Sequence, residues 1–183
     1  MTNRRGFLNT FSLALVAAVP ASARPEDTDT TLPASVRVPK LEFVYECDAT
    51  LSQALDFGNT IEGHRRIIPI TGGTFRGPRM QGEVLSGGAD WNLQRSDGAG
   101  SVEAAYYLKT NDGVLIRVVN KGVGGGPSSA GPDAAERFFM FTSPSFEAPT
   151  GKYDWLNRSV FVGTLGAHKD ARNAVLIRVF RVI

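Results

Sequence analysis

Cysteine is almost absent from this chain: Cys47 is the only one in 183 residues. No disulfide can therefore close within it, and the fold must rest on its hydrophobic core. Histidine is nearly as scarce. His64 and His168 are far apart and lie in no His-x-His or His-Glu-x-x-His pattern, so the sequence offers no metal site and calls for no cofactor. There is no Gly-x-Ser-x-Gly elbow for a serine nucleophile. Lys121-Gly122-Val123-Gly124-Gly125-Gly126 is glycine-rich, but no Gly-Lys-Ser/Thr follows it, which argues against a phosphate loop. Long hydrophobic runs are missing too. Leu13 to Val19 is far shorter than the roughly 20 residues of a membrane span. Cys47 itself is in phase with Leu41, Phe43 and Tyr45, the pattern of a buried structural thiol rather than a nucleophile.

The first 23 residues read as an export signal. Arg4 and Arg5 form a positive start, and Asn3-Arg4-Arg5-Gly6-Phe7-Leu8 resembles a twin-arginine signal. Leu13 to Val19 supply the apolar stretch, and Ala21-Ser22-Ala23 an A-x-A cleavage site. The expected location is periplasmic or extracellular, with no stable membrane insertion once the signal is removed. The whole chain is formally +2, but the segment holds two arginines and no acid, leaving 18 basic against 18 acidic groups. With no basic cluster interleaved with aromatics, nucleic-acid binding is not expected.

Residues 24–39 are rich in Pro, Thr and Asp and read as a flexible stretch. From Lys40 to Ile183 period-two apolar runs alternate with turn signals. Strands are predicted at Leu41 to Cys47, His64 to Thr71 (continuing through Phe75), Met80 to Leu85, Asp90 to Arg95, Val102 to Thr110, Val114 to Asn120, Arg137 to Thr142, Val160 to Leu165 and Val175 to Val182. Asn111-Asp112-Gly113 is the strongest hairpin signal. Short helical turns are expected at Gln53 to Asp56 or near Asp154 to Leu156, and a Gly/Pro/Ser loop at Lys121 to Ala135. Nine short strands and no βαβ pattern predict an all-β sandwich or barrel.

A spaced series of motifs sharpens this expectation. It runs from Ile68-Pro69-Ile70-Thr71-Gly72-Gly73-Thr74-Phe75-Arg76-Gly77-Pro78 to Gly82-Glu83-Val84-Leu85-Ser86-Gly87-Gly88-Ala89-Asp90-Trp91. Asp97-Gly98, Tyr106, Thr110-Asn111-Asp112-Gly113 and Tyr153-Asp154-Trp155-Leu156-Asn157 follow. This order resembles the family known as domain of unknown function 3237, over roughly Leu41 to Ile183. The resemblance implies a single antiparallel β-barrel of about eight to nine strands, similar to the allene oxide cyclase and dirigent barrels. It implies no agreed activity.

Small barrels can hold one small ligand in a mostly apolar pocket with a few convergent polar groups. The candidate acid or base is Asp90, and the candidate ligand-binding residues are Trp91, Tyr106, Asn120, Tyr153, Trp155 and Asn157. Tyr106 is in phase with Val102, Ala104 and Leu108, and Asn120 with Val114, Ile116 and Val118. Asp90 is expected to share one cavity with Tyr153, Trp155 and Asn157. The structural alternatives are that the tryptophans cap the core and that Asp90 only accepts turn N–H groups. Two functions stay open: a cofactor-free isomerase, cyclase or lyase, and a non-enzymatic binding protein for a small hydrophobic or phenolic molecule. A filled, purely structural barrel is the third reading. The sequence sets no oligomeric state.

Overall fold

The computed structural model describes residues 35–124, 139–168, 171 and 173–183. The export signal and most of the 24–39 stretch lie outside the described residues. The compact unit is Val38–Ile183. Its strands are β1 (Leu41–Leu51), β2 (Leu55–Thr60), β3 (Gly63–Arg76), β4 (Gln81–Val84), β5 (Gly88–Arg95), β6 (Gly100–Thr110), β7 (Leu115–Gly124), β8 (Phe139–Glu147), β9 (Phe161–Ala167) and β10 (Ala174–Val182). A 3-10 turn at Asp154–Arg158 joins β8 to β9.

Nine of the ten strands close into an eight-position antiparallel barrel. The order is β1-β10-β9-β8-β7-β6, then β4 and β5 end to end, then β3, which returns to β1. Closure pairs every barrel strand on both sides and removes the exposed edges of an open sheet. The remaining strand, β2, pairs only with the first half of β3.

β3 makes this economy of strands work by bending. Its first half, Gly63 to Ile70, pairs with β5, and its second half, Gly73 to Arg76, with β4. Gly73 sits at the bend with φ +136°, and a Cβ there would lie 2.0 Å from the Asp48 carbonyl oxygen. Only glycine allows β1 to approach so closely.

Two regions depart from the sequence-based expectations. The helical turn expected at Gln53 to Asp56 is instead the start of β2. Leu55 and Phe57 are 59% and 66% exposed, so this strand has no buried face and leaves no period-two signature. The loop expected from Lys121 is strand as far as Gly124, held by the register of β7 on β6 and β8; the rest of that loop lies outside the described residues. β8 also runs on to Glu147. The turn expected near Asp154 to Leu156 is present as the 3-10 turn.

The interior differs along its length. Toward the start of β1 and β9 it is aromatic. Phe146 and Phe161 pack edge-on at 4.7 Å, Tyr45 meets Phe75 at 5.6 Å, and Trp155 meets Phe161 at 6.0 Å. Leu156 of the 3-10 turn is fully buried in the same core. Burying one such side chain stabilises by about 1.5–3 kcal/mol. Toward the other end of the barrel the packing gives way to a cavity.

Candidate functional site

Alternation along β5, β6 and β7 decides which side chains enter that cavity. Successive residues of a strand point to opposite faces. On β5, Asp90 and Asn92 point inward while Trp91 between them points out, 42% exposed. On β6, Val102, Ala104 and Tyr106 point inward, and on β7 Asn120 does. The cavity has a volume of about 80 Å³, and its remaining wall is aliphatic, with Leu51, Ile68, Ile70 and Leu165 among its residues.

Register brings the polar groups together. Asp90 stands opposite Ala104, and Ala104 opposite Asn120. The carboxylate and the amide thus flank one methyl group in a single cross-strand row, and Ala104 leaves the space between them open. Gly88 clears room for the phenol: a Cβ there would lie 2.7 Å from the Tyr106 Cβ.

Asp90 is held on one edge. Its Oδ1 accepts the Glu103 N–H at 2.8 Å, and its Oδ2 accepts from Asn92 Nδ2 at 3.5 Å. Asn92 Oδ1 in turn accepts from Arg66 Nη2 at 2.8 Å. Burial raises the Asp90 pKa from its ordinary value of 3.8, against the lowering effect of those hydrogen bonds and of Arg66. A carboxyl group whose charge is disfavoured by an apolar wall is the usual starting point for a general acid or base.

Tyr106 and Asn120 are each 1% exposed. Asn120 Oδ1 and Thr142 Oγ1 hydrogen-bond to no protein group, and the Tyr45 and Tyr106 hydroxyls face only each other. Tyr45 and Tyr106 lie close enough to influence each other's ionisation, and burial raises the pKa of both phenols. Buried polar side-chain atoms usually have a partner, so this concentration marks the barrel interior.

The structure brings together Asp90, Tyr106 and Asn120 and separates the other candidates from them. Trp91 lies on the outer wall, where its carbonyl accepts from Arg65 Nη1 at 3.3 Å. Tyr153 donates its hydroxyl to Asp112 Oδ1 at 2.8 Å. Trp155 packs on Phe161 with the Arg79 guanidinium 3.9 Å above its ring. Asn157 clips the backbone of Ala148, donating to its carbonyl and accepting its N–H, both at 2.8 Å. These three belong to the 3-10 cap and do not line the Asp90 cavity. The expectation of one shared cavity is therefore corrected: the aromatic cluster stabilises a turn that closes the aromatic region of the barrel.

Sequence reasoning missed Asn92, Tyr45 and Thr142. Asn92 had a signal, since it lies two residues from Asp90 on the same face. Cys47 is buried as expected, and its thiol is pushed up to about 12 by burial. His64 lies outside the cavity, between Asn59 Oδ1 and Asp56 Oδ1, each at 3.0 Å, and His168 pairs with Asp48 at 3.2 Å. Among the described residues no three His, Cys, Asp or Glu side chains gather as a metal site would need.

Comparison with known proteins follows the barrel closely. The profile of a protein family of unknown function, DUF3237, matches residues 39–182. A UPF0311 protein of Rhodopseudomonas palustris is 33% identical over 154 residues, covering 79% of this chain and 99% of that protein. The crystal structure of a beta-barrel like protein from Acinetobacter baumannii superposes with a TM-score of 0.72 at 30% identity, covering 82% of this chain and 100% of the other. A hydroalkoxylation enzyme of Penicillium herquei is 28% identical over 126 residues, covering 69% of this chain and 74% of the enzyme.

Proposed function

We propose, for a chain that belongs to the DUF3237 family of β-barrel proteins, that the barrel interior binds a small apolar or phenolic molecule and that Asp90 moves a proton on it. The observation that carries this reading is the carboxyl group itself. It sits in an aliphatic wall, one edge is fixed by the Glu103 N–H, and burial favours its neutral form. Isomerisation, cyclisation and elimination need a proton taken from one atom and delivered to another, with no net oxidation. One carboxyl group can do both in turn. The name of the fungal relative supports an enzyme of this class, since hydroalkoxylation adds an O–H across a carbon–carbon double bond.

The test needs no known substrate. The protein is incubated in D₂O with a panel of enolisable ketones and alkenyl phenols, and recovered compounds are weighed by mass spectrometry. A compound that gains one deuterium with the wild type should do so about 10²–10⁴-fold more slowly with Asp90→Asn. Equal incorporation by both proteins removes Asp90 from the chemistry. A second reading is a binding protein without turnover, favoured by the mostly aliphatic wall. It requires that bound compounds be recovered unchanged, with Asp90→Asn binding as tightly as wild type.

We also infer export through residues 1–23. The family match begins at residue 39, and the bacterial relative is covered almost completely while a fifth of this chain stays outside the alignment. N-terminal sequencing of periplasmic protein should begin at Arg24, and changing Arg4 and Arg5 together to Lys should block export. Uncleaved chain in the periplasm would sink the idea.

A further inference from the structure

Asp90 accounts for one wall of the cavity, but not for the polar atoms opposite it. Tyr106 and Asn120 line the same space; Asn120 Oδ1 is buried with no hydrogen-bond partner in the protein, and the Tyr106 hydroxyl faces only that of Tyr45. Thr142 Oγ1, on the inward face of β8, is left unpaired in the same way. A buried polar atom left unpaired is costly, and aliphatic side chains of similar volume would fill these positions without that cost. Their presence in the barrel interior points to a guest that supplies the missing bonds.

Resting on the Asp90 reading of this cavity, we propose that the substrate is an uncharged molecule whose hydroxyl group is received between Tyr106 and Asn120, and that carboxylates of similar size are refused. The donor and acceptor inventory selects the hydroxyl. Asn120 Oδ1 can only accept, so the guest must donate to it. Tyr106 can donate to the same guest oxygen. A single hydroxyl satisfies both atoms at once, whereas a ketone or ether oxygen leaves Asn120 Oδ1 unpaired. A cavity of about 80 Å³ takes the hydroxyl end of a guest and not a large body.

Charge excludes the acids. The cavity wall contains no Lys or Arg and already carries Asp90. The nearest cation identified there is Arg66, whose guanidinium is tied to Asn92 Oδ1 and stays exposed. A carboxylate guest would leave water without a counter-ion and lie beside another carboxyl group. Because burial raises the pKa of both tyrosines, they remain neutral donors across the neutral range.

Phenol and benzoate, titrated separately into the full chain at pH 7 by ligand-observed NMR, test this. Phenol should bind, and benzoate should bind at least tenfold more weakly. Tyr106→Phe and Asn120→Leu should each weaken phenol by roughly tenfold, the worth of one hydrogen bond. Benzoate binding as tightly as phenol, most tellingly if Arg66→Gln abolishes it, overturns the proposal. So does phenol affinity that is unchanged in both variants. Circular dichroism checks their folding, and the phenol–benzoate comparison on the wild type decides even if one variant unfolds. Asp90→Asn separates the two readings. Phenol affinity kept within about twofold, with deuterium incorporation also unchanged, would end the role of Asp90 and leave the hydroxyl site standing.

Discussion

The two ends of the barrel solve opposite problems with the same strands. At the cap end, Tyr45, Phe75, Phe146 and Phe161 pack edge to face, Trp155 tilts onto Phe161, and Leu156 closes the core. The polar groups of the cap are satisfied: Tyr153 by Asp112, and Asn157 by the Ala148 backbone. At the cavity end the aromatics give way to Ala49, Ala104 and aliphatic side chains, and Asn120 keeps an unpaired amide oxygen. Aromatic packing is concentrated at one end, and the open space with an unpaired amide oxygen lies at the other. A barrel suits this division because closure holds the strands whether or not every layer is filled.

The largest expected effect tests the cap. Phe161→Ala removes the ring that touches both Phe146 and Trp155, and should cost about 3–5 kcal/mol in urea unfolding. A loss below about 1 kcal/mol would mean that the cap is not where stability lies.

Asp90→Asn comes next, and pH gives it its signature. The Asp90 pKa is raised in the folded protein, so the native state holds its proton more tightly than the unfolded chain. Its contribution to stability is full below the ordinary value of 3.8 and is lost as pH rises through the folded value. The variant has no such loss. Relative to wild type it should therefore gain stability on going from acid to neutral pH, offset in part if the Glu103 N–H is held less well. Parallel stability curves for the two proteins across that range would show that Asp90 is not desolvated.

Smaller still, and of unusual sign, is the effect expected at Tyr106. Tyr106→Phe removes a hydroxyl whose one facing group in the protein is the Tyr45 hydroxyl, so unfolding free energy should stay within about 1 kcal/mol of wild type or rise. A loss of 2 kcal/mol or more would show that the hydroxyl is already well bonded in the free protein. The smallest change is expected at the latch on the cap. Asp112 accepts from Tyr153 and Lys152, and these bonds, led by that of Lys152, hold its pKa well below the usual carboxylate range. Its contribution is present at neutral pH and fades as pH falls through the depressed value. The group is exposed and screened, so Asp112→Asn should lower the thermal midpoint only slightly, and less so in acid than at neutral pH.

Most strands were legible because their signal is local. Val102 to Leu108 and Ile116 to Asn120 alternate cleanly, and the inward faces of Tyr106 and Asn120 follow from that period. The same rule separates Asp90 from Trp91, which as consecutive residues of one strand must face opposite sides. Grouping them in one pocket ignored the strand that carried them. The cluster Tyr153, Trp155 and Asn157 was visible as a dense motif, but nothing local says which end of a barrel a turn covers. β2 was illegible for another reason: its residues stay exposed, so only its pairing with β3 makes it a strand.

By itself, then, the sequence determined the strand periods, the turns, the buried thiol and the all-β class, because each depends on neighbours a few residues away. The tertiary structure decided what depends on register and closure. The bend at Gly73 lets β3 serve two partners. The pairing of Asp90 with Ala104, and of Ala104 with Asn120, sets an acid and an amide across one methyl group. These pairings join residues 14 and 16 positions apart and so bring Asp90 and Asn120 to either side of one methyl group, a geometry that exists only once the strands are in register.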